Sequence, residues 1–217
     1  MKKNKNEGLL IVLALMPALY LIYKWNELPQ KVPVHWNIDG KIDRYGTKTE
    51  LMLLVLVLPL SIYLLLTFIP KIDPKNQINK MGDKYFQLKF FLVLFMSFLG
   101  FIIIRSAETG EIFYLKYLVG GIGIFFMVFG NYMKTIKPNY FIGIRTPWTL
   151  ENEEVWKKTH KITSYLWFWG GIIIVLASFL LPFKTASIVM LAIVFFIVIF
   201  PVIYSWKYFQ KIKNKQK

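Results

Sequence analysis

Six long apolar blocks, separated by short basic connectors, constrain the fold of this chain more than any other feature. Each block is close to the roughly 20 residues that a helix needs to cross a hydrocarbon layer of about 30 Å. A helix of a soluble protein keeps one polar face, and these blocks have none. The pattern therefore predicts an all-α, polytopic membrane protein with about six transmembrane helices, at 8–23, 51–69, 90–104, 112–133, 162–183 and 186–206.

Two of the blocks have features that bear on packing. The third is the shortest, and Lys89 and Arg105 at its ends are expected to snorkel toward the two interfaces and lengthen its span. The fourth contains Gly120, Gly121 and Gly123. These glycines either allow close packing with another helix or are ordinary glycines of a membrane helix, and the sequence leaves both alternatives open.

The net charge of +15 is distributed unevenly between the two sides of the predicted membrane. Nineteen of the 27 Lys and Arg residues lie on the side of the two termini, and eight lie on the other side. The positive-inside rule therefore places both termini in the cytoplasm. Topology and contact with the lipid bilayer account for this charge, and no recognition motif accompanies it, so direct nucleic acid binding is not expected.

The available residue types restrict the chemistry that the chain can perform. It has no cysteine and two histidines, His35 and His160. The charge distribution places these histidines on opposite sides of the membrane, so they cannot form one site. The sequence contains no nucleophile elbow and no zinc motif. We therefore expect no enzyme activity, no catalytic residue and no cofactor.

The first external loop, 24–50, combines prolines with a strong turn pair, Asp39-Gly40, and is expected to consist of turns and extended chain. His35, Asp39 and Asp43 carry groups that a divalent cation accepts as ligands. The alternative is a self-bonded turn that lies on the membrane surface. We favour the turn because the three ligands follow no known metal-site spacing, and the sequence thus predicts no metal site.

The internal connector, 134–161, contains a second unusual stretch. Thr149 is predicted to be the N-cap of a helix with an acidic first turn. Trp156 and His160 are four residues apart and share one face of that helix. Arg145 lies in an apolar, proline-bounded turn, where an unpaired guanidinium is costly. It is expected to meet a lipid phosphate, a helix C-terminus, an acidic residue such as Glu151, or a bound protein.

Two motifs carry a resemblance that covers nearly the whole chain. The external motif consists of Pro33, His35, Trp36, Asn37, Gly40, Asp43 and Tyr45. The internal motif consists of Asn139, Gly143, Arg145, Thr146, Pro147, Trp148, Trp156 and His160. In this order they resemble the SdpI family of bacterial membrane proteins, named for immunity to a sporulation-delaying peptide toxin. The resemblance implies a two-helix domain of unknown function at 1–90 and a four-helix SdpI-like region at 91–217.

The resemblance also implies a function, which is that of a non-enzymatic immunity protein of the bacterial cell membrane. Such a protein protects the cell from a secreted toxin peptide, and the external motif would face the toxin. The resemblance further implies a receptor role, in which the internal motif binds a small winged-helix repressor and holds it at the membrane. The alternative is a small transporter or channel of unknown substrate. The near absence of ionisable residues within the blocks counts against that alternative.

Overall fold

The computed structural model describes residues 7–110 and 114–215. These residues form seven α-helices, a short 3-10 helix at Asn79–Met81 and one antiparallel pair of strands. The helices are α1 (Glu7–Tyr23), α2 (Lys48–Ile72), α3 (Asp83–Thr109), α4 (Leu115–Met133), α5 (Pro147–Glu151), α6 (Glu153–Leu180) and α7 (Phe183–Lys215). The strands are β1 (Lys31–Trp36) and β2 (Ile42–Thr47).

The length and surface of the helices show that they belong in a membrane. Helices α2, α3, α4, α6 and α7 are long and apolar enough to cross a bilayer, and α1 is a shorter apolar helix of 17 residues. Large apolar side chains cover the outside of the bundle; Phe195 is 70% exposed and Phe179 is 62% exposed. Lipid tails accept such a surface, whereas water does not. The predicted all-α, multi-pass membrane fold is therefore confirmed, and the cytoplasmic placement of the termini stays a prediction.

The helices pack in two groups. Helices α1, α2 and α3 pack against one another, and α4, α6 and α7 form the second group, with the most extensive contact between α4 and α6. At Gly123 of α4 and Gly171 of α6, an added Cβ would lie 2.8 and 2.5 Å from the carbonyl oxygen of the facing glycine. No side chain fits at that distance, so the structure favours close packing as the role of the α4 glycines.

Several elements differ from the apolar blocks because polar residues also take part in regular structure. Helix α3 extends beyond its block at both ends, and α7 continues through the basic tail to Lys215. The first external loop contains the β1–β2 hairpin, which was expected only as turns and extended chain. The first two residues of the fourth block, 112 and 113, lie outside the described residues.

The prediction that Lys89 snorkels to the interface is wrong. Its side chain is 4% exposed, and its Nζ lies 2.8 and 3.0 Å from the two carboxylate oxygens of Glu7. The same Nζ lies 4.4 Å from the ring centroid of Tyr63, whose hydroxyl donates to Glu7 at 3.2 Å. The carboxylate and the ring face together compensate the buried ammonium. This cluster joins the predicted cytoplasmic ends of α1, α2 and α3.

Removing one partner of this cluster should destabilise the bundle. Glu7→Gln leaves the Lys89 ammonium buried beside a neutral amide, and we expect it to lower the free energy of unfolding by about 1–3 kcal/mol. The loss is smaller than for a fully buried pair because Glu7 is 41% exposed. The double variant with Lys89→Met should be more stable than Glu7→Gln alone. Unfolding in detergent micelles, analysed as a double-mutant cycle, measures the coupling energy between Glu7 and Lys89. Losses of the two single variants that simply add in the double variant would show that the pair is not coupled.

Candidate functional site

The external motif lies on the β1–β2 hairpin, which its apolar residues hold against the ends of the first helical group. The buried cluster beneath it consists of Leu21, Leu28, Val32, Leu51, Val55, Ile104 and Ala107. The register between the strands shifts on both sides of His35. Such irregularities change the direction in which side chains leave a strand, and this one lies at the centre of the motif.

The turn of the hairpin is bonded to itself, as predicted. The Asn37 side-chain oxygen accepts hydrogen bonds from the backbone N–H groups of Asp39 at 3.0 Å and Lys41 at 2.9 Å. Gly40 has a φ of +78°, a value that glycine adopts at no steric cost. Asn37 and Gly40 are therefore explained by the geometry of the turn.

The structure does not bring His35, Asp39 and Asp43 together as one set of metal ligands. His35 Nδ1 lies 2.6 Å from an Asp43 carboxylate oxygen, and both side chains are exposed. Asp39 instead pairs with Lys184 in the first turn of α7 at 2.8 Å, and this hydrogen bond lowers the pKa of Asp39. Within the described residues, no three His, Asp or Glu side chains are grouped as a metal site.

The other three residues of the external motif differ in exposure. Pro33 is buried and Trp36 is half-buried, and the Trp36 indole N–H has no hydrogen-bond partner among the described residues. Tyr45 is 58% exposed. The surface that the motif presents to the outside of the protein therefore consists of His35, Asp43 and Tyr45, and we refer to it as the hairpin face.

The internal motif begins with Asn139, which is 4% exposed and uses its whole side-chain amide. Its oxygen accepts from the backbone N–H groups of Phe141 at 2.8 Å and Ile142 at 2.7 Å. Its nitrogen donates to the carbonyls of Lys137 at 2.8 Å and Ile142 at 3.1 Å. Asn139 therefore supplies the backbone of an irregular segment with the partners that a helix would otherwise provide.

His160 and Trp156 form the buried base on which this segment rests. Their rings stack at a centroid distance of 4.0 Å, which confirms that they share one face of α6. The Trp156 indole donates to the carbonyl of Ile136 at 2.9 Å. His160 Nε2 accepts from the backbone N–H of Ile144 at 3.1 Å, while Nδ1 lies 2.9 Å from the Trp156 carbonyl. An imidazole in this position is neutral, with its proton on Nδ1.

Gly143 is required directly above His160. Its φ is +108°, and a Cβ added there would lie 2.3 Å from His160 Nε2. The backbone therefore approaches the imidazole more closely than any side chain allows. This contact accounts for the pairing of Gly143 and His160 in the motif.

The helix caps in this region differ from the prediction that Thr149 is an N-cap. Thr146 is the N-cap of α5, Pro147 occupies its first turn, and Thr149 closes a reciprocal capping box with Thr146. Asn152 caps α6, and its side chain accepts from the backbone N–H groups of Glu154 and Val155. The short helix α5 separates the two caps, so Thr149 lies inside α5 rather than at its start.

Arg145 is exposed, and the expectation that it meets a lipid phosphate or a bound protein stays a prediction. Its guanidinium donates to the backbone carbonyl of Tyr140 at 2.5 Å rather than to Glu151. Trp148, two residues past the Thr146 cap, is half-buried. Within the internal motif, Arg145 is thus the charged side chain that is exposed.

The two motifs lie at opposite ends of the bundle, and α7 connects them. Lys184 at its start pairs with Asp39 of the hairpin, and Ser205 near its end lies 3.0 Å from the Thr146 hydroxyl. Ser205 follows Lys184 by 21 positions, which corresponds to about 30 Å of helix. That length equals the hydrocarbon thickness of a bilayer, so the motifs face opposite sides of the membrane.

Three residues that contact the motifs were not predicted from the sequence. Asn152 could have been found, because an Asn followed by two glutamates is typical of a helix start. Lys184 and Ser205 are distant in the chain from the groups that they bond. No local pattern indicates such long-range contacts.

Fold and site together define a multi-pass membrane protein with a structured hairpin at one face and a hydrogen-bonded connector at the other. The SdpI/YfhL protein family matches residues 135–205, and the domain of unknown function DUF1648 matches residues 12–58. The C-terminal part of the chain thus resembles the SdpI/YfhL protein family, and the chain is a multi-pass protein of the cell membrane. It is 26% identical over 217 residues to the "Immunity protein SdpI" of Bacillus subtilis (strain 168), with 100% of both chains covered. No solved structure matches it.

Substitution of Gly143 should test the contact with His160. Gly143→Ala places a methyl group against the imidazole and forces a positive φ on alanine, and we expect the free energy of unfolding to fall by about 2–4 kcal/mol. Unfolding of the purified protein in detergent measures the loss.

Gly82→Ala is the matched control, because Gly82 has a φ of +55° and nothing within 4 Å of its added Cβ. It should show only the cost of backbone strain, about 1–3 kcal/mol. The double variant Gly143→Ala with His160→Ala should lose less than the sum of its single variants. Equal losses for Gly143→Ala and Gly82→Ala would show that the contact with His160 contributes nothing.

Proposed function

We propose that this protein is an immunity protein that protects its cell from a secreted toxin peptide. The observation that carries the proposal is similarity over the full length of both chains to a protein named as an immunity protein, at 26% identity. The hairpin face supports it, because a rigid element that projects from the membrane suits recognition of an extracellular peptide. Val32 and the cluster beneath fix the backbone of the hairpin, and the Asp39–Lys184 pair fixes its tip.

The hairpin face and the adjoining turn together offer a peptide three kinds of contact. The exposed Asp43 carboxylate suits a cationic group, and Tyr45 offers an aromatic ring with a hydroxyl. Ile38 at the turn is 44% exposed and adds an apolar contact. This combination fits a cationic or apolar peptide, which is the chemistry expected of a toxin that acts on membranes. The transporter alternative is less well supported, because the buried Lys89 ammonium is neutralised by Glu7 at one end of the bundle.

Protection can be measured as growth of a toxin-sensitive bacterium that expresses this chain. The peptides to test are the sporulation-delaying peptide and any secreted peptide encoded beside the gene. Asp43→Ala with Tyr45→Ala should reduce the tolerated toxin concentration about tenfold, as the loss of roughly 1.4 kcal/mol of binding implies. Both side chains are exposed, so their removal should leave the fold intact.

Lys31→Ala with Lys41→Ala is the matched control, since both lysines are exposed residues of the same hairpin outside the motif. It should protect as well as the parent at equal membrane abundance. Equal protection by the Asp43/Tyr45 variant would remove the hairpin face from the proposal. A parent chain that protects against none of the peptides would contradict the immunity function.

We further propose that the protein has two functional units, with toxin recognition in 1–90 and a receptor surface for a small winged-helix repressor in 91–217. The exposed Arg145 guanidinium supports the receptor role: its Nη1 donates to the Tyr140 carbonyl of the connector, and the side chain as a whole remains exposed. A guanidinium suits a carboxylate on a partner protein, which it grips with two parallel hydrogen bonds.

Recruitment of the candidate repressor to membranes tests this role of Arg145. Arg145→Lys keeps the charge but loses the planar fork, and it should reduce recruitment about tenfold, as should Arg145→Ala. Lys158→Ala is the control, because Lys158 is an exposed cation of the neighbouring helix outside the motif. Equal recruitment by the parent and both Arg145 variants would remove Arg145 from the site, while toxin protection would remain a separate question.

A further inference from the structure

A cleft between α3 and α4 lies apart from both motifs. Its volume is about 370 Å³, and it opens where α3 begins and α4 ends. Lys84 and Lys134 line its mouth together with Gln87 and Asn131, and Phe91, Val128 and Phe129 line its lower part. We propose that this α3–α4 cleft binds one anionic phospholipid of the cytoplasmic leaflet. The proposal does not depend on a toxin or a repressor.

The mouth of the cleft has the charge that a phosphate headgroup requires. Lys84 and Lys134 are both exposed, and neither has an ion pair with a carboxylate within the described part of the chain. Gln87 and Asn131 add amide donors beside them. Basic pockets between transmembrane helices on the cytoplasmic side are suited to anionic headgroups. The predicted topology places this end of the bundle on that side, where anionic lipids are concentrated.

The lower part of the cleft suits an acyl chain. Phe91 lies seven residues beyond Lys84 on α3, and Val128 of α4 lies six residues before its C-cap Lys134, which places both about 9–11 Å deeper. Phe125 continues the apolar wall, with its ring centroid 6.0 Å from that of Phe91. The lining therefore changes from cationic to apolar over the depth at which a phospholipid changes from headgroup to tail.

The cleft is built into the fold rather than left by loose packing. Helix α4 packs along α6 much more extensively than against α3, so α3 and α4 leave space between them. Two contacts fix the separation: the Tyr132 hydroxyl donates to the Lys84 carbonyl at 2.9 Å, and the rings of Phe95 and Phe125 meet at 4.9 Å. A cleft held open in this way does not need to rearrange to accept a lipid.

The proposal is tested with the purified full-length chain in detergent, to which phosphatidylglycerol or zwitterionic phosphatidylcholine is added. Native mass spectrometry counts the bound lipid, and the shift in unfolding temperature reports its affinity. We expect one phosphatidylglycerol to bind in preference to phosphatidylcholine. Lys84→Gln with Lys134→Gln should weaken it about 25-fold, since a lysine near an anionic group contributes about fivefold. Lys84→Arg with Lys134→Arg should retain binding.

Two further variants separate the cleft from the surrounding surface. Lys80→Gln with Lys158→Gln removes the same charge from the same end of the bundle and should bind like the parent. Val128→Trp fills the apolar part without changing the charge and should also lose the lipid. The proposal is overturned if the control pair weakens binding as much as the cleft pair, if Val128→Trp binds normally, or if inorganic phosphate stabilises the parent as phosphatidylglycerol does.

Discussion

Lipid tails offer no partner to a backbone N–H or carbonyl, and this constraint determines where irregular chain occurs in the protein. Within the described residues, the long segments that meet lipid are helical, and the irregular segments lie at the two ends of the bundle. Even there the backbone is paired. The β1–β2 ladder pairs it at one end, and the side chains of Asn139 and Thr149 pair it at the other.

The need to pair the backbone also explains why most residues of the two motifs have a structural role. Few of them remain available for binding. Asn139, Thr146 and His160 each complete hydrogen bonds of the connector, and Gly143 gives His160 room. Asn37 and Gly40 do the same for the hairpin turn. These motif residues therefore maintain the backbone conformation of the connector and of the hairpin turn. What remains exposed is small: the hairpin face at one end of the bundle, and Arg145 and Pro147 at the other.

The sequence predicted the helices well because hydropathy reports directly on contact with lipid. It predicted the shared face of Trp156 and His160 because four residues make about one helical turn. It failed at Lys89, because a lysine that ends an apolar block has the same local pattern whether it reaches the interface or pairs with a residue 82 positions away. It failed at Thr149 for a different reason, since the five-residue helix α5 is too short to show periodicity. Whether the hairpin face and Arg145 bind partners remains a prediction.

The position of α7 has a consequence for biosynthesis. Helix α7 leaves the ribosome after the other described helices, and it supplies Lys184 to the hairpin and Ser205 to the Thr146 cap. Its Tyr208 hydroxyl donates to Glu154 at 2.6 Å. These contacts at both ends of the bundle thus form only after α7 has been synthesised. A chain that ends before residue 184 still contains both sequence motifs and yet leaves Asp39 and Glu154 without these partners. Translation through α7 is therefore a condition for these contacts at both ends of the bundle.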